Sequence, residues 1–154
     1  MKTKPLLLLV FSFILLFSSC GKNPDIYPEP TTAELLIGSW QESTSTLTLY
    51  DANSKKISED AQPLRTATFY TTGKFDYRYV NEQILQGNYK LSKDTKDEYI
   101  AFTTSTNESL VFKIIQISDK GLSVTCETHN VTYYVNNKPL TAATSIRKMT
   151  LSKM

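Results

Sequence analysis

Between residues 74 and 79 the chain reads Lys-Phe-Asp-Tyr-Arg-Tyr, with Phe75, Tyr77 and Tyr79 on every second position and charged residues between. Successive side chains on a strand point to opposite faces, so this alternation marks a β-strand with one face buried and one in water. A helix would scatter the same residues around its circumference. The period of two recurs in three other places. Leu85, Gly87, Tyr89 and Leu91 alternate with Gln86, Asn88 and Lys90, Leu122, Val124 and Cys126 alternate with Ser123 and Thr125, and Leu47 and Leu49 sit among threonines. Residues 64–70, 99–103, 110–117 and 131–135 are rich in β-branched and aromatic side chains, which suits strands, and residues 140–151 are read as a final one.

Short polar stretches separate these runs. Residues 71–73, 92–97, 104–108, 118–121, 127–130 and 136–139 are expected as turns, with Gly121 at a position that requires positive φ. Residues 51–63 are polar and end in Pro63, so they are expected as a long loop. Ahead of the strands, Thr31 and Glu34 have the spacing of a capping box, followed by Leu35, Leu36, Ile37 and Gly38. That order predicts one short helical turn ending at the glycine. Eight to nine strands with short connections predict an all-β antiparallel meander. Sequential hairpins favour an up-and-down barrel over Greek-key crossovers.

The first 20 residues obey a different rule. Lys2 and Lys4 precede a nearly uninterrupted apolar run over residues 6–17. Crossing a bilayer takes about 20 apolar residues. This run is shorter and reads as the core of a secretory signal peptide. Ser18, Ser19, Cys20 and Gly21 follow, and this order resembles the lipobox of bacterial lipoproteins, with Phe17 where an aliphatic residue is usual. The resemblance implies that residues 1–19 are a signal peptide, that Cys20 is lipidated, and that the protein is anchored to a membrane by that lipid. Several acyl chains anchor a protein stably where one does not. It also implies a cell-envelope location, with the outer membrane favoured by Gly21 and the side of that membrane left open. Residues 20–30, with Pro24, Pro28 and Pro30, then serve as an extended tether, and residues 31–154 form the folded domain.

Charge and cysteine content narrow the partners. Without Lys2 and Lys4, the 17 basic and 15 acidic residues become 15 of each. A balanced domain offers no electrostatic footprint for nucleic acid. With the Cys20 thiol alkylated by lipid as a thioether, Cys126 has no partner for a disulfide, so stability must come from the core.

The folded part resembles the lipocalin-like domains. Leu36-Ile37-Gly38-Ser39-Trp40 is similar to their Leu-x-Gly-x-Trp entry. Residues 68–75, Gly87-Asn88-Tyr89, and residues 114–124 are similar to three of their later hairpin segments. The resemblance implies an eight-stranded up-and-down barrel, open at one end and plugged at the other, with Trp40 at the plugged end.

No pattern of catalysis stands out, and an enzyme is not expected. His129 is the single histidine, read as exposed in a turn. Cys126 and His129 have a metal-like spacing, but two ligands do not close a zinc site. Alternation places Cys126 with Leu122 and Val124 on the inner face. No cofactor or metal is expected. The aromatic residues carry the functional expectation. Phe75, Tyr77, Tyr79, Leu85, Tyr89, Phe112 and Tyr133 are the expected ligand-binding wall, with tyrosine hydroxyls as polar handles. Two functions follow from different classes. One is a tethered binding protein for a small apolar or amphipathic molecule. The other is an interaction lipoprotein, an inhibitor or accessory subunit of an envelope complex, working through its loops.

Overall fold

A computed structural model describes residues 28–154. The expected signal peptide, Cys20 and most of the expected tether lie outside the described residues. One short helix, α1 (Thr32–Leu36), precedes nine strands. They are β1 (Gly38–Tyr50), β2 (Lys56–Ala61), β3 (Thr66–Phe69), β4 (Lys74–Arg78), β5 (Ile84–Lys93), β6 (Glu98–Thr104), β7 (Ser109–Ile117), β8 (Gly121–Val135) and β9 (Lys138–Lys153). Every pairing is antiparallel. From β3 to β9 each strand pairs with the next, and β1 pairs with both β9 and β3. This closes an eight-stranded, lipocalin-like barrel with β2 outside the ring.

Helix α1 begins as its sequence dictates. The Thr31 side chain accepts from the Glu34 amide at 3.3 Å, and the Glu34 carboxylate accepts from the Thr31 amide at 2.7 Å. Five residues are too few for a helix to stand alone in water. Packing holds it, because Leu36 is fully buried beside Trp40. The Trp40 indole donates to the Leu36 carbonyl at 2.7 Å, so the one polar atom of a fully buried ring is satisfied. Lys153 donates to the Leu35 carbonyl at 2.8 Å, and its Nζ lies 5.1 Å from the Trp40 ring centroid. A cation at the C-terminal carbonyls of a helix is favourably placed. These contacts plug one end of the barrel.

Above the plug the inner face is aromatic. Phe102 is the hub, with ring centroids 5.0 Å from Phe75, 5.6 Å from Phe112 and 6.0 Å from Phe69. Leu122, Val124, Cys126, Met149 and Leu151 close the other wall. Burying each such side chain contributes about 1.5–3 kcal/mol. Cys126 lies in this core, on the inner face with Leu122 and Val124.

Three local expectations are corrected. Residues 51–63 are not simply a loop, because β2 lies within them and pairs with Thr46, Leu47, Thr48, Leu49 and Tyr50 of β1. Thr46 faces Ala61 and Gln41 faces Thr66, so β2 and β3 hold one register against β1, interrupted at residues 62–65. The interruption contains Pro63, which cannot donate to a ladder. Both faces of β2 are largely exposed, so it has no apolar alternation to read. Residues 127–130 are not a turn. Strand β8 runs through them in unbroken register with β9, with only Asn130 at φ +55°. Their polarity marks the point where β8 leaves the core, since β7 pairs with it only as far as Thr125. Gly121 does not need positive φ. It begins β8, and its turn is closed by the Ser118 hydroxyl accepting from the Gly121 amide at 3.0 Å. Gly73, by contrast, has φ +76° in the β3–β4 turn.

Beyond Cys126 the strands β8, β9, β1 and β2 continue past the ring as a four-stranded extension. The β8–β9 turn at its tip has Asn136 and Asn137 both at positive φ, as a two-residue hairpin of the right twist requires.

Gly87 faces Phe75 across β4–β5. A Cβ there would lie 2.2 Å from the Thr103 carbonyl oxygen and 2.8 Å from a Phe75 ring carbon. Gly87→Ala should therefore destabilise the barrel by about 1–3 kcal/mol, the usual range for overpacking. Urea unfolding followed by circular dichroism measures it, and an unchanged midpoint would contradict the close approach.

Candidate functional site

The barrel interior is not completely filled. A cavity of about 110 Å³ remains among the aromatic rings, on the side of the core away from α1. An engineered apolar cavity of about 150 Å³ is enough to hold benzene. The space here is smaller, which limits an occupant to one ring or a short chain at most. Leu85, Thr104 and Leu110, at the strand ends opposite the plug, form its rim, and Leu110 is 42% exposed.

Five of the expected wall residues meet here. Phe75, Tyr77, Tyr79, Leu85 and Phe112 all line the cavity. Tyr89 does not. Its ring stands edge-on to Phe69 at 5.3 Å, and its hydroxyl donates to the Tyr70 carbonyl at 2.9 Å, near the plugged end. Tyr133 lies on the extension, opposite Leu140. His129 also lies on the extension, exposed, with Nε2 3.7 Å from a Glu127 carboxylate oxygen. Cys126 is buried, and burial pushes its thiol above the usual range.

Several lining residues lie outside that set of seven. Phe69 and Phe102 belong to the aromatic wall, and Arg65 and Arg147 bring charge to it. Arg65 arrives through the interruption between β2 and β3. Its carbonyl accepts from the Glu42 amide at 2.9 Å, which fixes the backbone before β3 begins. Its guanidinium carbon lies 4.7 Å from the Tyr79 ring centroid and 5.5 Å from that of Tyr77. Such stacking over a ring face is attractive for a cation. The Arg65 Nη1 lies 3.5 Å from the Tyr77 hydroxyl.

Behind Tyr77 sits Glu42, a carboxyl group only 1% exposed. The Tyr77 hydroxyl donates to its Oε1 in a short hydrogen bond. Its Oε2 and the Arg65 Nε are buried without a hydrogen-bond partner. Burial raises the Glu42 pKa, and this outweighs the hydrogen bond from Tyr77 and the nearby charges of Arg65 and Arg147, which lower it. Burial and the neighbouring Glu42 together push the Tyr77 phenol well above its ordinary value. The group thus combines an apolar chamber with a charged, hydrogen-bonded shelf at one level.

A signal for these residues exists in the sequence. Glu42 is in phase with Trp40, Arg65 with Ala67 and Phe69, and Arg147 with Met149 and Leu151. Extending each inner face by one more step reaches buried Glu42 and half-buried Arg65 and Arg147.

Comparison with family models, curated proteins and solved structures gives no match to this chain. The site is therefore read from its own chemistry.

Because the folded state raises the Glu42 pKa, it holds the proton more tightly than the unfolded chain does. Stability from this group is complete below the ordinary carboxylate pKa. It is lost as pH rises from there through the raised value. Glu42→Gln keeps an acceptor for Tyr77 and removes the titration. Equilibrium unfolding of both proteins across that window should show the wild type losing stability with rising pH more steeply than the variant. Parallel curves would mean that Glu42 ionises normally.

Proposed function

We propose that this chain is a lipid-anchored binding protein of the bacterial cell envelope, whose barrel holds one small apolar or amphipathic molecule. The observation that carries the binding half is the unfilled chamber. A barrel serving only as a scaffold needs no void, and every void forfeits packing contacts. This one lies among Phe75, Phe102 and Phe112, with Leu110 at its rim. Mostly apolar walls with a few converging polar groups are the usual makeup of a small-molecule site. The size favours a single ring or short chain over a sterol or porphyrin.

The anchoring half rests on the sequence of residues 1–21. Among the described residues no helix is long and apolar enough to cross a membrane.

Ligands of matching size should raise the melting temperature of the purified protein. At a hundredfold excess over Kd, a ligand specific for the folded state adds about 2.7 kcal/mol, worth several degrees in a domain of this length. Ala67 also lines the chamber, so Ala67→Leu should fill it and abolish the shift. If no single-ring or short-chain compound shifts the wild type, the binding reading fails.

Anchoring has its own test. Cys20→Ala should move the protein out of the membrane fraction or leave its signal peptide uncleaved. Normal fractionation with unchanged acyl labelling would remove the lipoprotein reading.

The interaction reading retains one specific support. The extension exposes Tyr134, Val135, Leu140 and Ile57, with Tyr134 70% exposed. An accessory protein would use that surface, and its partner would be lost on changing Tyr134 while ligand binding persisted.

A further inference from the structure

Two arginines line a chamber whose other walls are largely apolar. Among the described residues, neither Arg65 nor Arg147 forms a salt bridge. The Nε of Arg65 is buried and has no acceptor. Arginine cannot shed its proton to escape this situation, as a lysine could. Both side chains are half-buried, and an apolar wall disfavours the buried part of a charge unless a partner of opposite sign meets it.

The charge of Glu42 is coupled to both arginines. It does not balance them. Two guanidinium groups against one carboxylate leave a net positive charge even when Glu42 is ionised. Burial of Glu42 shifts it toward its neutral form, which weakens its compensation of the two charges. Tyr77 stands between Glu42 and Arg65, with its hydroxyl committed to the Glu42 carboxyl. Arg65, which carries the unmatched donor, and Tyr77 both line the cavity.

We propose that the chamber takes an amphipathic organic anion, its apolar part among Phe75, Phe102 and Phe112 and its acidic head at Arg65 and Arg147. The planar guanidinium fork suits a carboxylate, sulfate or phosphate oxygen pair. The chamber volume limits the apolar part to about six carbons or one ring, judged against the benzene-sized cavity already mentioned. This inference rests on the binding reading above and adds the sign of the head group.

The test is calorimetry of the purified protein with probes sharing one tail: hexanoate, hexyl sulfate, hexyl phosphate, hexan-1-ol and hexylamine. The anions should bind about ten- to a hundredfold more tightly than the alcohol, the span expected of a hydrogen bond to a charged group. Hexylamine should bind most weakly. The rank among the three anions distinguishes a carboxylate source from a sulfate or phosphate one. R147Q and R65Q should each bring hexanoate affinity down toward that of hexan-1-ol, and R147K should restore part of it. If a variant fails to fold, salt dependence in the wild type serves instead. Hexanoate affinity should fall as salt rises, while hexan-1-ol affinity should not. Equal affinity for hexanoate and hexan-1-ol would overturn the anion inference and leave the chamber as a binding site. Binding of no probe would overturn both.

Discussion

Strand β1 is where the ring closes. Trp40 and Gln41 are paired on one side with Lys153 and Ser152 and on the other with Ala67 and Thr66. Without those two ladders the sheet would have open edges and the inner face would meet water. The same short stretch carries Trp40, which fills the base of the barrel, and Glu42, which lies at the level of the chamber. Closure, plug and polar shelf therefore depend on one run of backbone. The irregularity between Glu42 and Thr44 follows at once, and it releases β1 from strict alternation before it enters the extension.

The two ends of the barrel treat polarity in opposite ways. At the plug, polar groups are matched in pairs. The Trp40 indole meets the Leu36 carbonyl, and the Lys153 ammonium meets that of Leu35. At the chamber, Glu42 and Arg65 each retain a buried atom without a partner. Buried polar atoms are satisfied in the great majority of cases, so unsatisfied ones ask for an explanation at each occurrence. The plug follows the ordinary rule of a stable core. The Glu42–Tyr77–Arg65 group beside the chamber departs from it.

Much of the ring was legible because one face of each barrel strand is buried. Phe75 and Tyr77, and Leu122, Val124 and Cys126, write that face into the sequence, and the Thr31–Glu34 spacing writes the start of α1. Legibility ended where strands left the core. Lys56 to Ala61 and Glu127 to Asn130 form strands with water on both faces, so backbone pairing alone holds them and no side-chain period records it. The site was legible only in part for another reason. Aromatic residues signal an inner wall whether they fill it or leave space, so Tyr89 and Phe75 look alike in sequence although only Phe75 lines the cavity. Arg65, Arg147 and Glu42 were overlooked because charge is normally a sign of the outer face. Their phase with neighbouring core residues was the better guide.

The extension has a geometric consequence. Strands β8, β9 and β1 leave the ring at its open end, so they rise on one side of the rim, while the β4–β5 and β6–β7 connections stop short on the other. The open side of the rim is thereby the one away from the extension. A macromolecule resting against the exposed face of Tyr134 and Leu140 would stand over the approach. Cover over the wall and access to the chamber would then occupy the same space.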